Sequence, residues 1–135
     1  MQDYVRSQTA TLLRRLAYAV GRAAKSGDAE SIHDLRVAIR RFSRCLQVFA
    51  QFYPGGSAKK IRRRLSGLMA AAGAVRDLDI AMELVDSAGA KGQRQLLSQL
   101  KQQRRQANRE LFQEVQHWHG QAFSKKWRSA LGLSV

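Results

Sequence analysis

Apolar residues recur along the chain at spacings of three and four, the repeat of one face of an α-helix. From Asp3 to Lys25 the seam is Val5, Thr9, Leu12, Leu16 and Val20, and the stretch from Ser26 to Asp28 closes it. A second helix is expected from about Ala29, with Leu35, Ile39, Phe42, Leu46 and Phe49 inward. It should end at Tyr53-Pro54-Gly55-Gly56, a strong breaker. Ser57 is placed to cap a third helix, whose seam is Ile61, Leu65, Leu68, Ala72, Val75, Asp79 and Met82. That seam persists to about Val85, before the sequence SAGAKG at 87–92 ends it. A fourth helix should run from about Gln93 to His119, with Leu97, Leu100, Ala107, Leu111, Val115 and Trp118 inward. Gly120 then breaks the chain, and Phe123, Trp127 and Leu131, spaced by four, mark a short fifth helix.

No period-two alternation, internal repeat or low-complexity tract interrupts this pattern. The connections are short, so neighbouring helices should be antiparallel. The expected fold is all-α: an antiparallel up-down four-helix bundle with a short C-terminal fifth helix. At 135 residues the chain suits one domain with a single modest core.

Charge changes the picture. The formal net charge is +14, which stores self-repulsion in the compact state and points to a polyanionic partner: nucleic acid, a phosphate polymer or an anionic membrane surface. Most of the cations are arginine, whose planar fork suits bidentate phosphate recognition. From Leu35 to Arg76 there is no Asp or Glu at all. On the second helix His33, Arg36, Arg40 and Arg44 fall within roughly 80° of one another, about one cation per turn, away from the apolar seam. Like charges four apart repel by a few tenths of a kcal/mol, about 0.2–0.5 per pair, whereas a merely solvated face would alternate in sign and gain from it. A linear polyanion bridging successive arginines would explain the omission, each contact being charge-assisted. In that row His33 reads as a further donor, gaining charge when a polyanion raises its pKa.

Other chemistry is weak or absent. Asp77 and Asp79 stand at i and i+2, about 200° apart on a helix, and form no acid/base pair. Asp79 lies on the apolar seam and should be paired with an arginine, Arg76 and Arg104 being candidates, in a structural role. His117 and His119 diverge in the same way and make a poor metal site. The single cysteine, Cys45, excludes a disulfide framework and zinc spacing; it reads as an inert core thiol in a reduced, cytosolic setting. Trp118, Phe123 and Trp127 read as packing residues at the bundle end more than as stacking platforms. No Gly-rich phosphate loop, HExxH or GxSxG motif is present, so neither an enzyme nor a cofactor is expected. The N-terminus lacks an apolar signal core, and the longest apolar run, LMAAAGAV, is too short to span a bilayer.

The block IHDLRVAIRRFSRCLQVF, followed by LMAAAGAVRDLDIAMELV, resembles the two signature blocks of the CHAD family, the conserved-histidine α-helical domains. The segment NRELFQEV…AFSKKWRSAL is similar to the end of that family's first helical unit. The resemblance covers nearly the whole chain and implies a non-catalytic, all-helical domain that binds inorganic polyphosphate through a basic surface. Its histidine maps to His33, its arginines to Arg36, Arg40, Arg41 and Arg44, and Arg76 and Asp77 open the second block. With the cationic run of the third helix, the expected polyphosphate-binding residues are His33, Arg36, Arg40, Arg41, Arg44, Lys60, Arg63, Arg64 and Arg76. The family usually has two bundles related by a pseudo-twofold, and this chain has one. It is expected to be a fragment, or to form a homodimer that rebuilds the two-bundle arrangement and joins the basic faces. Association with polyphosphate granules in the cytoplasm would follow.

Two other readings compete. A nucleic-acid-binding protein would also carry this charge, but base readout wants Asn or Gln with aromatics beside the arginines, and the second-helix stripe has neither. A helical adaptor with incidental charge would use the apolar tail helix as its interface.

Overall fold

The computed structural model describes residues 1–89 and 93–133, and these form five α-helices and no strand. They are α1 (Gln2–Lys25), α2 (Ala29–Val48), α3 (Ser57–Ala88), α4 (Gln93–Gly120) and α5 (Phe123–Ala130), with a 3-10 turn at Ala50–Phe52. Each long helix packs against the next, and α4 closes the ring on α1. This is the expected four-helix bundle with a short fifth helix.

The core is built where the apolar periods converge. Val5, Leu13, Leu16 and Val20 of α1 meet Leu35, Phe42 and Leu46 of α2, all fully buried. Leu65, Leu68 and Ala72 of α3 and Val115 of α4 complete the interior. At the 12–13 step of α1 it is Leu13 that is buried, and Leu12, expected on the seam, is only half-buried. A core-facing helix buries a stripe wider than a single row, so both lean inward and Leu12 borders the groove toward α2.

The bundle end is sealed by aromatic rings. Trp118, Phe123 and Trp127 pack edge-to-face with centroids 5.0–5.2 Å apart, and Phe42 stacks on Trp127 at 6.0 Å. All four are buried, as their expected packing role requires. Helix α4 continues through Gly120; the break falls two residues later, where Ala122 adopts a left-handed φ of 51° before α5.

Two boundaries differ from expectation. Helix α2 stops at Val48, and the chain turns through 50–52 so that Tyr53 points inward to hydrogen-bond Thr9. Ser57 does not cap α3: Gly56 is the N-cap, its carbonyl accepting from Lys60 N at 3.0 Å, and Ser57 is the first helical residue. The left-handed φ of +95° at Gly55 makes that turn and brings the chain into α3 one residue early. The expected stop at 87–92 lies partly outside the described residues; within them, α3 extends to Ala88 and Gly89 is left-handed.

Helices α3 and α4 outrun α1 and α2. The α1–α2 turn is level with Asn108, so close that a Cβ at Gly27 would sit 3.3 Å from its Oδ1. Beyond that level Leu97 and Leu100, expected inward, are only half-buried, because no third helix covers them. There Arg104 Nε donates to Asp79 Oδ1 at 2.5 Å, the pairing anticipated for a carboxylate on an apolar seam.

Candidate polyanion-binding surface

Helix α2 is the spine of the site. Its start is set by Asp28, whose side chain accepts from Ser31 N at 2.8 Å. That backbone hydrogen bond holds the Asp28 carboxyl below its ordinary pKa. The cap fixes which face goes in: Ile32, Leu35, Ile39, Phe42, Cys45 and Leu46 are buried, while His33, Arg40, Arg41 and Arg44 are exposed and Arg36 is half-buried. The ridge therefore faces solvent, as the period required.

None of these five side chains has a carboxylate partner. Among the described residues the ion pairs are Arg22–Asp34 and Arg104–Asp79, and neither includes a cation of the ridge. Arg36 goes further: its Nε is buried with no hydrogen-bond partner. An unmade bond at a charged donor is costly, and no internal acceptor meets this one.

The ridge divides two grooves. On the α3 side Arg36, Arg40 and Arg44 border a groove with Ser66, Met69 and Gly73 opposite, and Asp77 at its far end. On the α1 side His33 and Arg41 border a second groove, with Arg15, Tyr18 and Arg22 opposite. The five α2 cations are thus brought together on one helix but look two ways.

The α3 residues expected at the site are not all on this surface. About 100° separates successive residues of a helix, so the run Arg62–Arg63–Arg64 fans out. Arg62 and Lys59 stand one and two turns before Ser66, on the helix face that borders the α3-side groove, and Arg62 Nε is also buried and unpartnered. Arg63 points to solvent beside them. Arg64 turns the other way, its guanidinium 4.7 Å from the Trp118 ring centroid and 5.8 Å from that of Trp127. Lys60 lies one turn before Arg64 on the same flank. Arg76 is exposed and borders a different groove, between α3 and α4, whose lining includes Asp79, Glu83 and Asp86.

Arg15 and Arg22 lie outside the expected set, as do Lys59 and Arg62, although these two belong to the stretch without Asp or Glu. Arg15, Tyr18 and Arg22 do recur at i, i+3 and i+7, the signal of one helix face, but that face gains meaning only once α2 lies beside it. The thiol of the single cysteine falls in the core, as expected. Cys45 is buried, 3.4 Å from Thr9 Oγ1. His117 and His119 are exposed, and no cluster among the described residues could hold a metal. No helix among them is long and apolar enough to cross a membrane.

An all-helical bundle with an unneutralised histidine-arginine ridge is the class of protein that this geometry defines. The chain belongs to the CHAD domain family, whose model matches residues 7–134. That family is associated with polyphosphate binding and is generally non-catalytic. No curated protein and no solved structure matches the chain.

Proposed function

We propose that the α2 ridge binds inorganic polyphosphate, as a non-catalytic scaffold or targeting module. His33, Arg36, Arg40, Arg41 and Arg44 supply the line of donors, and Arg63, with Lys59 and Arg62, extends it across the α3-side groove. One observation carries the reading: five cations of one helix, four exposed and Arg36 half-buried, have no carboxylate partner among the described residues. A string of phosphates can neutralise such a row without an induced change in the helix. Lys60, Arg64 and Arg76 contribute through the general field of the surface and not through the ridge. Pairing of two copies to join two ridges, and residence on polyphosphate granules, extend the same reading. Sedimentation with and without polyphosphate tests the pairing.

The test of binding is competition. Long-chain polyphosphate should displace duplex DNA from the protein at matched phosphate concentration. The double substitution Arg36→Ala, Arg40→Ala should weaken polyphosphate binding and lower the slope of log affinity against log salt by about 2, with helicity unchanged. Duplex DNA resisting displacement, or a double variant that binds like the parent, would refute the assignment.

A further inference from the structure

The groove on the α1 side of the ridge has something the α3-side groove lacks, an exposed aromatic ring among its cations. The chain has two Trp, three Tyr and five Phe, and of these only Tyr4, Tyr18 and Phe112 are exposed. Of those three it is Tyr18, 70% exposed, that borders a groove shared with arginines. The groove encloses about 440 Å³, within the usual size of a small-molecule site, about 300–1,000 Å³. Its floor is apolar, from Leu12, Ala19, Val37 and Ala38.

Its polar groups are sorted by position. Helices α1 and α2 are antiparallel, so Arg15, one turn before Tyr18, faces the end of the groove that carries Arg41, one turn beyond Val37. The other end holds Arg22, one turn after Tyr18, bonded to Asp34 Oδ2 at 3.1 Å. The two ends are therefore about 11 Å apart along the helix axes: two arginines without carboxylate partners at one, a carboxylate at the other, a ring and apolar floor between. Asp34 is a poor neighbour for a plain phosphate chain, which it would repel. With Oδ2 engaged by Arg22, Oδ1 remains free to accept from an N–H donor.

We propose that this groove binds a purine nucleoside polyphosphate. The base stacks on Tyr18 over the apolar floor, an N–H of its edge donates to Asp34 Oδ1, and the phosphates lie on Arg15 and Arg41. Stacking a base on an aromatic side chain contributes enough to be read directly in affinity. The assignment does not depend on polyphosphate occupying the ridge, although His33 and Arg41 border both.

The experiment titrates the full chain with GTP and with inorganic tripolyphosphate at the same salt concentration. GTP should bind tighter by about 5- to 150-fold. Tyr18→Ala should abolish that ratio while tripolyphosphate affinity and helicity stay as they were, since the ring is mostly in solvent. Asp34→Ala should move the two ligands in opposite senses, tightening tripolyphosphate and shrinking the GTP advantage. Equal affinities in the parent protein, or a GTP advantage that survives Tyr18→Ala, would overturn the proposal. So would Tyr18-dependent binding of a single-stranded oligonucleotide with no Tyr18 effect on GTP, which would assign the groove to nucleic acid. Loss of polyphosphate binding with the GTP ratio intact would sink the ridge reading and leave this one standing.

Discussion

Arg104 on α4 donates its Nε to Asp79 Oδ1 on α3, with only 27% and 19% of the two side chains exposed. The pair ties the two helices together where they run beyond α1 and α2, and it accounts for a carboxylate in a seam otherwise apolar. Removing one partner leaves a partly buried charge without its bond, a loss of about 1–3 kcal/mol. Asp79→Ala should therefore lower the urea midpoint by that equivalent. Polyphosphate affinity should barely move, because the pair borders the α3–α4 groove and neither groove of the ridge. A large affinity loss at unchanged stability would place Asp79 in the binding surface.

Arg64 and Arg44 make a second contrast. Both are exposed arginines of basic stretches, but Arg64 lies over Trp118 and Trp127, and Arg44 borders the α3-side groove. Arg64→Ala should cost about 0.5–1 kcal/mol of stability through the lost cation–π contact and weaken polyphosphate binding only slightly. Arg44→Ala should do the reverse: near-native thermal unfolding, with the salt slope of binding reduced by about 1. Thermal unfolding and salt-dependent titration of the two variants side by side check both halves.

That contrast also shows what was legible in the sequence. The bundle is readable because the seams of α2 and α5 repeat without interruption and that of α3 is broken only by Asp79. The α2 ridge is readable because residues 33, 36, 40 and 44 return to one face. The Arg62–Arg64 run is not readable in the same way, since three neighbouring residues diverge by about 100° each and their targets belong to other helices. Nor is the partnership of Arg15, Tyr18 and Arg22 with Asp34 and Arg41, which exists only after α1 and α2 have packed. The half-burial of Leu97 and Leu100 follows from the different lengths of the four helices, a global property that a local period does not contain.

Ala122 offers a stabilising change. It is the one non-glycine residue with positive φ among those described, at 51°, and the left-handed conformation costs an L-residue about 1–2 kcal/mol. A Cβ there is the source of the strain. Ala122→Gly should raise stability by about 0.5–1 kcal/mol once the greater freedom of glycine in the unfolded chain is set against the relief. For a domain of this size that is a rise in Tm of about 2–4 °C, measured by thermal unfolding. A fall in Tm would mean that the turn between α4 and α5 is not held as described.

A buried chain of hydroxyls makes the fold sensitive to alkaline pH. Tyr53 Oη donates to Thr9 Oγ1 at 2.7 Å, and Thr9 Oγ1 in turn donates to Val5 O at 2.8 Å. Tyr53 and Thr9 are both buried. Burial raises the Tyr53 phenol above its ordinary pKa of 10.0, the bond with Thr9 opposing it in part. The folded state thus holds the proton more tightly than the unfolded chain does. The stability linked to this group is whole below pH 10 and is lost as pH rises from there through the folded value. Urea midpoints measured between pH 8 and pH 11 should fall at the alkaline end, and Tyr53→Phe should flatten that fall. Thr9→Val should destabilise more than Tyr53→Phe at neutral pH, by about 1–3 kcal/mol against about 0.5–1.5, because it strands a buried phenol with no acceptor while the phenylalanine leaves Thr9 still bonded to Val5.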